Sequence, residues 1–391
     1  MQQYEIDALV NMGVSFYNGT EKVEKNLVRA AQCFKEAAEA GDSRAMNMMG
    51  YLYEHGEGVE KNLSHAFDCY LLAAKSGNSS AMYNVAIFYE RGLHGECDLA
   101  SAFNWYVASA NNNYSPAYFK LGVFYERGRG CRPNDVEAAK YYQLSADSGE
   151  ATAMFNLAIF YENGRGGLRV NPAKAAELYK KAADIGMTGA KYMLARYYEE
   201  GKGGLASDPA VAFRYYSEAA NEGYDEAQYR LGICYERGLL GLRVDEVTAA
   251  KWYRLAAEQD NRNAIYNLGV FYERGRGLLP KSDHEAIKLY ERAAVLGMPD
   301  AQYNLAVFYE NGRACSVDYD KAAHYYQLAS NQNYPPALYN LAVMYYYGRG
   351  SVLRDYKRAY ELCEQAARLG NASAQRALPT IKRVYEDNRR R

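Results

Sequence analysis

Hydrophobic, small and polar positions recur along this chain every 36 or 37 residues. The recurring phrase is Tyr-Glu-x-Gly, and degenerate copies of it begin at Phe16 and Tyr345. Self-similarity at a period of this length is the signature of a repeat architecture, in which stacked supersecondary units share one core. The sequence therefore predicts one array of repeats over about residues 4–375. The number of domains cannot be inferred from the length of such a chain. The intact copies of the phrase begin at Tyr53, Tyr89, Tyr125, Tyr161, Tyr198, Tyr235, Tyr272 and Tyr309.

The predicted array has ten repeats, and residues 371–391 follow it as a C-terminal capping helix with a basic tail. We expect the helix of this last segment to begin at Pro379 and to end in the arginines at 389–391. The expected bounds of the repeats are 4–41, 42–77, 78–113, 114–149, 150–186, 187–223, 224–260, 261–297, 298–333 and 334–370.

The first half of each repeat has the pattern of an amphipathic helix, which we call helix A. Positions are numbered from the tyrosine of the phrase, or from Phe16 in the first repeat, as position 0. Ala stands at −8 and Gly or Ala at −3 in all ten repeats, with Leu, Met or Val at −4. Positions −8, −4 and −1 share one face of a helix, and small residues beside them allow a second helix to approach closely. Gly at +3 predicts the end of helix A, since glycine adopts the left-handed backbone of a helix terminus.

The second half of each repeat predicts another helix, helix B. Each copy follows an Asn, Asp or Ser, which are preferred N-cap residues because their side chains accept from free backbone N–H groups. An Ala stands four residues after the cap, and an aromatic residue four after that, with Cys363 the exception. Gly, Asn or Asp, which tolerate positive φ, mark the end of each helix B. The predicted N-cap residues are Asn26, Asn62, Asp98, Asn134, Asn171, Asp208, Asp245, Ser282, Asp318 and Asp355.

Repeats of the general form A…NLGxxYExGxG followed by D…KAxxYYxxAAxxG, with phrases such as YNLAVFYENG at residues 303–312, resemble Sel-1-like repeats, a branch of the tetratricopeptide-repeat superfamily. The resemblance covers more than nine tenths of the chain. It implies an all-α fold, an α/α superhelical solenoid of ten helix-turn-helix repeats that serves as a protein-interaction scaffold. Similar proteins act in membrane-protein quality control, regulation of cell-wall synthesis, signalling and host–microbe contact.

Composition and motifs point away from several other functions. The net charge is −1, so the chain lacks the basic excess of a nucleic-acid binder. It has no apolar stretch long enough to span a membrane, and its first residues lack the pattern of a signal peptide. The seven cysteines form no CxxC pair and the five histidines no HxxxH or HExxH set, so we expect no metal, no cofactor and no catalytic residues. Unpaired cysteines favour a reducing, cytoplasmic location.

One enzymatic alternative comes from the resemblance itself. Secreted cysteine-rich members of the family staple each repeat with a cysteine pair, and some resemble penicillin-binding enzymes in activity. Here no repeat carries such a pair, and Cys33 and Cys69 occupy the same core position of consecutive repeats. We therefore expect a non-enzymatic protein, with the secreted hydrolase as the least favoured interpretation.

A candidate partner-binding groove lies on the helix A face opposite the small residues. Position −6 is aromatic and position −2 is Val or Ile in eight repeats each, while position −5 is Asn in six. One interpretation is that the −6 aromatics pack between repeats. The other is a concave groove in which Asn amides pair with the backbone of an extended peptide. The predicted partner-binding residues are Asn84, Asn156, Asn267, Asn304, Asn340, Tyr83, Tyr229, Tyr266, Tyr303 and Tyr339, with residues 260–350 the best candidate segment.

Glu at +1 in eight repeats is unexpected, because a carboxylate near a helix C-terminus opposes the helix dipole by about 0.3–1 kcal/mol. Either a repeated hydrogen bond or ion pair offsets this cost, with Arg127, Arg129, Arg274 and Arg276 nearby, or the carboxylates form an acidic surface for basic ligands.

The sequence thus predicts a non-catalytic scaffold or adaptor that binds a protein or an extended peptide on its concave face. An adaptor subunit of an enzyme complex, such as a ubiquitin ligase or a kinase, is the alternative. The expected partners include no nucleic acid and no membrane, and the oligomeric state is left open.

Overall fold

The computed structural model describes residues 1–390, and this part of the chain contains 21 α-helices and no β-strand beyond one isolated bridge between Thr20 and Val23. The predicted all-α class is confirmed. The first twenty helices alternate as helix A (odd numbers) and helix B (even numbers), so that repeat 1 is α1 and α2 and repeat 10 is α19 and α20. The helices are α1 (Gln3–Asn18), α2 (Leu27–Glu39), α3 (Ser43–His55), α4 (Leu63–Lys75), α5 (Ser79–Arg91), α6 (Leu99–Asn111), α7 (Ser115–Arg127), α8 (Asp135–Asp147), α9 (Ala151–Asn163), α10 (Pro172–Asp184), α11 (Thr188–Glu200), α12 (Pro209–Asn221), α13 (Asp225–Arg237), α14 (Glu246–Glu258), α15 (Arg262–Arg274), α16 (Asp283–Val295), α17 (Pro299–Asn311), α18 (Tyr319–Asn331), α19 (Pro335–Tyr347), α20 (Tyr356–Arg368) and α21 (Ala372–Arg389).

Local signals set the ends of these helices. All ten predicted N-cap side chains accept a hydrogen bond from the first turn of helix B, which confirms them. At the other end of helix B, the non-glycine residues Asn113, Asp260 and Asn333 adopt φ of 58–60°. A short polar side chain is what makes that backbone accessible to a residue other than glycine. Each helix B therefore begins and ends where the sequence places it.

Within a repeat, the small residue at −3 makes room for a ring from helix B. A Cβ added to Gly122 would lie 2.6 Å from the ring of Tyr142, and one added to Gly232 would lie 2.5 Å from the ring of Tyr253. The ring is fully buried in repeats 1 to 9, where it belongs to the aromatic residue four positions after the Ala that recurs in every helix B. Helices A and B therefore approach closely with one large aromatic side chain packed between them at the centre of each of these nine repeats. These buried rings are Phe34, Tyr70, Tyr106, Tyr142, Tyr179, Tyr216, Tyr253, Tyr290 and Tyr326.

The chain divides into two compact bodies. The N-terminal body comprises Met1–Ala190 with Lys202–Leu205, and the C-terminal body comprises Lys191–Gly201 with the residues from Ala206 onward. In the N-terminal body, repeats 1 to 5 stack so that each helix B packs against the next helix A. The C-terminal body stacks repeats 7 to 10 in the same way, and α21 packs against α20.

The last helix begins earlier than the sequence prediction. Helix α21 starts at Ala372 behind the N-cap Asn371, so the expected start at Pro379 is wrong. Ala374 is fully buried and lies 37 residues after Ala337, which is the spacing of one more helix A. Pro379 sits inside the helix, where its missing N–H leaves one carbonyl without its usual donor. Packing of Ala374 and Ile381 against the last repeat stabilises the helix despite this loss. The last of the three predicted tail arginines, Arg391, lies outside the described residues.

Candidate partner-binding face

The glutamate at +1 ends helix A and meets the buried tyrosine of helix B in the same repeat. In all eight repeats that carry this glutamate, the tyrosine hydroxyl donates a hydrogen bond to its Oε2. The oxygen–oxygen distance is 2.8 Å between Tyr70 and Glu54 and 2.6 Å between Tyr290 and Glu273. The two terminal repeats lack both partners, with Phe34 and Cys363 in place of the tyrosine. The carboxylate therefore gives the buried hydroxyl an acceptor that it would otherwise lack.

The second oxygen of most of these glutamates binds a cation from the following repeat. Six of the cations stand at +4, in the loop after helix A. In repeat 7 this position is Leu239, and there Arg230 at −5 reaches Glu199 instead. Glu54 has no such cation among the described residues, because the corresponding position is Leu93. The bridges at +4 are Arg129–Glu90, Arg165–Glu126, Lys202–Glu162, Arg276–Glu236, Arg313–Glu273 and Arg349–Glu310.

Three of these arginines link a loop to both helices of the preceding repeat. Arg313 binds Glu273 at the end of α15 at 2.7 Å and Asp283 at the start of α16 at 2.6 Å. Its guanidinium also lies 4.1 Å from the ring centroid of Phe308. Arg165 and Arg276 make the corresponding pairs of bridges in their repeats. A planar guanidinium suits this double role, because its five N–H donors point in fixed directions.

These bonds settle the role of the +1 glutamates. Burial raises the pKa of Glu90, but hydrogen bonds from Tyr106 and Lys120 outweigh it and hold the pKa below its ordinary value. The side chain is only 9% exposed and carries two cations, so it is not part of a free acidic surface. The interpretation as a repeated hydrogen bond and ion pair is confirmed. Of the four arginines that the sequence suggested, Arg129 and Arg276 bind these glutamates, whereas Arg127 and Arg274 do not. The tyrosines were missed, although the joint absence of Tyr and Glu from both terminal repeats was a usable signal.

Five of the six Asn residues at −5, all but Asn11 of repeat 1, face polar groups of the preceding repeat. Nδ2 of Asn340 donates to the hydroxyl of Tyr326 at 2.9 Å, and Nδ2 of Asn304 lies 3.4 Å from the hydroxyl of Tyr266. Nδ2 of Asn84 donates to the side-chain oxygen of Asn47 at 3.0 Å. Asn156 and Asn267 face the hydroxyls of Tyr142 and Tyr253, respectively. Each of these amides is half-buried, so it joins two repeats and still reaches the surface.

The aromatic residues at −6 are half-buried as well. The ring centroid of Tyr83 lies 5.4 Å from those of Tyr106 in its own repeat and Tyr114 at the start of the next helix A. Tyr303 contacts Tyr326 and Tyr334 in the same way, at 5.8 and 5.6 Å. The rings therefore pack on the core with one side and leave part of their surface open. The same half-buried state holds for Tyr229, Tyr266 and Tyr339.

The exposed part of helix A thus combines aromatic edges, Val or Ile at −2 and the polar amides at −5. We call this surface the helix A face. In the C-terminal body an open cavity of about 420 Å³ lies on it between α11 and α13, where Tyr192, Tyr229 and Ile233 contribute apolar walls. Arg196 lines the same cavity in the place that Val or Ile holds in eight other repeats. The surface offers apolar contact together with hydrogen-bonding groups.

Among residues 1–390, no cluster of three or more His, Cys, Asp and Glu side chains is arranged to hold a metal ion. All seven cysteines are free thiols. None of the helices within residues 1–390 combines the length and the apolar character that crossing a bilayer requires.

Comparison with known proteins gives one family. The model of the Sel1 repeat matches ten consecutive segments that run from residues 6–42 to residues 335–371. The solved structure of c5321, a protective antigen present in uropathogenic Escherichia coli strains and displaying an SLR fold, is similar over 97% of this chain and 80% of its own, with 28% identity and a TM-score of 0.83. A Sel1 repeat protein from Oxalobacter formigenes is similar over 63% of this chain and 96% of its own, with 29% identity and a TM-score of 0.56. The search of curated proteins returned no match.

Proposed function

Because the chain belongs to the Sel1 repeat family, we propose that it is a non-catalytic scaffold or adaptor that binds a protein or an extended peptide through the helix A face. Repeats of this kind form scaffolds that commonly serve protein–protein interaction and are generally non-catalytic. The observation that carries the proposal is the half-buried state of the −6 aromatics and, outside repeat 1, of the −2 aliphatics, in positions where a solvated helix would be polar.

The chemistry of the helix A face suits a peptide in an extended conformation. Tyrosine supplies a large contact area at a low cost in conformational entropy, and its rings are already held by the core. Each −5 amide has two N–H donors and an oxygen acceptor, and an internal bond uses one donor. The remaining donor and acceptor are the pair that the backbone of an extended peptide needs.

Within this face we propose that repeats 8 to 10 make the principal contacts. They carry a continuous series of −6 tyrosines, Tyr266, Tyr303 and Tyr339, each followed by an Asn at −5. The N-terminal body has the same pattern with an interruption, since Lys120 separates Asn84 from Asn156 and binds Glu90. An unbroken series gives a longer surface for one ligand.

Affinity capture with the full chain tests this proposal. The face variant carries Val270→Lys and Val307→Lys, which place ammonium groups among the half-buried side chains of α15 and α17 while their stems still cover apolar surface. The matched control carries Val244→Lys and Val295→Lys, at sites that are 62% and 84% exposed and lie off helix A. We expect the parent and the control to capture the same specific partner and the face variant to capture much less of it, with equal helicity and melting in all three. Capture that is unchanged in a folded face variant would contradict the proposal, and an enzyme as the captured protein would favour the adaptor role.

A further inference from the structure

Position +2, the last residue but one of the Tyr-Glu-x-Gly phrase, carries arginines that take no part in the network between repeats. Arg91 and Arg127 in the N-terminal body are exposed, as are Arg237 and Arg274 in the C-terminal body. No ion pair or hydrogen bond within residues 1–390 involves their guanidinium groups. The neighbouring carboxylates at +1 are already occupied by tyrosine and by other cations. These arginines therefore present uncompensated positive charge.

Other residues at +2 show what a purely structural role looks like. Nδ2 of Asn163 donates to the carbonyl of Ile159 at 3.0 Å, and Nδ2 of Asn311 donates to the carbonyl of Val307 at 2.8 Å. His55 bonds the carbonyl of Tyr51 in the same manner. These side chains fold back and satisfy the free carbonyls at the end of their own helix. The four arginines do not, so closing the helix end does not explain them.

Each of these arginines lies on the helix A face. It stands four residues after the aliphatic residue at −2, and side chains four apart are neighbours on one side of a helix. Burial raises the pKa of Tyr83, and the charge of Arg91 opposes that rise from the other end of α5. Arg237 acts on Tyr229 in the same sense. A cationic group thus borders the half-buried apolar surface in each of these repeats.

The same series of residues occurs once in each body. Repeats 3, 4 and 5 carry Arg, Arg and Asn at +2, and repeats 7, 8 and 9 carry the same order. Both sets have three aromatics at −6 and three Val or Ile residues at −2. Repeat 6 departs from both, with Arg196 at −2 paired to Glu200 at +2. The two sets are therefore separate copies of one arrangement.

We propose that each body docks one extended segment of a protein partner in which apolar side chains alternate with Asp or Glu. The apolar side chains contact the −6 and −2 residues, and the carboxylates pair with the arginines at +2. Charge complementarity selects this partner, because the surface joins an apolar floor to unpaired guanidinium groups, which bind carboxylates with two parallel bonds. The chain then has two docking sites of this kind, on repeats 3–5 and on repeats 7–9, and the second shares repeats 8 and 9 with the principal contacts of the proposed function. This inference rests on the proposed use of the helix A face.

Calorimetric titration of the full chain tests it with two synthetic probes of the same length. One alternates Leu with Asp and Glu, and the other has Asn and Gln in place of the acids. We expect two equivalents of the acidic probe to bind, with an affinity that falls as salt is added, and about fivefold to tenfold weaker binding of the neutral probe. Arg91→Ala with Arg127→Ala should weaken one equivalent by that factor, and Arg237→Ala with Arg274→Ala the other. Arg243→Ala with Arg254→Ala removes two exposed charges elsewhere and should leave both equivalents unchanged.

Several results would overturn this inference. They are failure of the acidic probe to bind, equal binding of the two probes, one equivalent of probe in place of two, and equal effects of the control and the face substitutions. Failure of this inference can be distinguished from failure of the proposed function. If capture of the natural partner depends on Val270 and Val307 but not on the four arginines, the proposed function stands and the acidic, two-site inference falls. If the probes bind through the arginines but capture of the natural partner does not depend on Val270 and Val307, the acidic, two-site inference stands and the proposed function falls.

Discussion

The Tyr253 hydroxyl lies in the centre of repeat 7 and donates to Glu236, whose other oxygen accepts from Arg276 at 2.7 Å. Tyr253→Phe keeps the buried ring and removes only the donor. We expect the free energy of unfolding to fall by about 1.5–3 kcal/mol, because the lost bond is to a charged group in a partly buried site. Urea titration followed by circular dichroism measures the change.

Tyr235→Phe is the matched control in the same repeat. Its hydroxyl makes no hydrogen bond with the described residues, and its ring is partly buried. We expect a change within about 0.5 kcal/mol. Equal losses in the two variants would show that the bond to Glu236 does not contribute to stability.

The sequence predicts these contacts unevenly, for a physical reason. An N-cap such as Asn62 bonds within its own helical turn, so the residue type and position suffice to predict it. The bond between Tyr70 and Glu54 joins residues 16 positions apart, and it depends on how closely two helices approach. The −6 aromatics are harder still: their pattern fits either packing or ligand contact, and the structure shows rings that are packed on one side and open on the other.

At the scale of a helix, α21 shows the same limit. Pro379 suggested a helix start, because proline is favoured in the first turn and disfavoured in the interior. The spacing of Ala374 from Ala337 carried the opposite signal, that one more helix A follows repeat 10. Packing decided the outcome, since Ala374 and Ile381 cover the last repeat. Proline in the interior of a helix costs a few kcal/mol. Burial of several apolar side chains stabilises the longer helix by more than this cost.

Helix α21 is therefore expected to stabilise the repeat it covers. Ile381→Ala removes a side chain that is 6% exposed and packs with Leu338, Ala342 and Cys363. We expect a loss of about 2–4 kcal/mol, from lost burial and from the cavity left behind. Since repeats in such arrays are stabilised by their immediate neighbours, the loss should be concentrated in repeat 10.

Amide hydrogen exchange measures where this loss falls. Protection should decrease most in α20 and α21, while the helices of repeats 7 and 8 keep theirs. Thr380→Ala, one residue away and exposed, is the control and should change little. Uniform loss of protection along the C-terminal body would contradict the view that α21 acts as a local cap.

Across the whole chain, the interior repeats share one polar unit. This unit consists of the tyrosine of helix B, the glutamate of helix A and, in seven of the eight cases, a cation from the next repeat. The replacement of the +4 cation by Arg230 in repeat 7 shows that the charge matters more than the position that supplies it. Because the unit links consecutive repeats, its protonation state bears on every interface that it joins.

The alkaline stability of the chain follows from these tyrosines. Burial, and then the hydrogen bond to glutamate, raise the pKa of seven of them above the ordinary value of 10.0. The folded state therefore holds these protons more tightly than the unfolded chain. Their contribution to stability is complete below about pH 10, and above it each tyrosine removes about 1.4 kcal/mol of unfolding free energy per pH unit. The seven are Tyr70, Tyr106, Tyr142, Tyr216, Tyr253, Tyr290 and Tyr326.

We expect alkaline titration to show two phases, recorded by tyrosinate absorbance and by circular dichroism on the same samples. The first phase should leave helicity unchanged, and the buried set should ionise in the second phase, as the helices unfold. The arginine bridges stay charged throughout, so their loss cannot cause the second phase. Tyr253→Phe should reduce the amplitude of that phase by one tyrosine. Complete ionisation of all tyrosines with helicity intact would mean that the hydroxyls are not held by the glutamates, and the polar unit between repeats would then contribute nothing to alkaline stability.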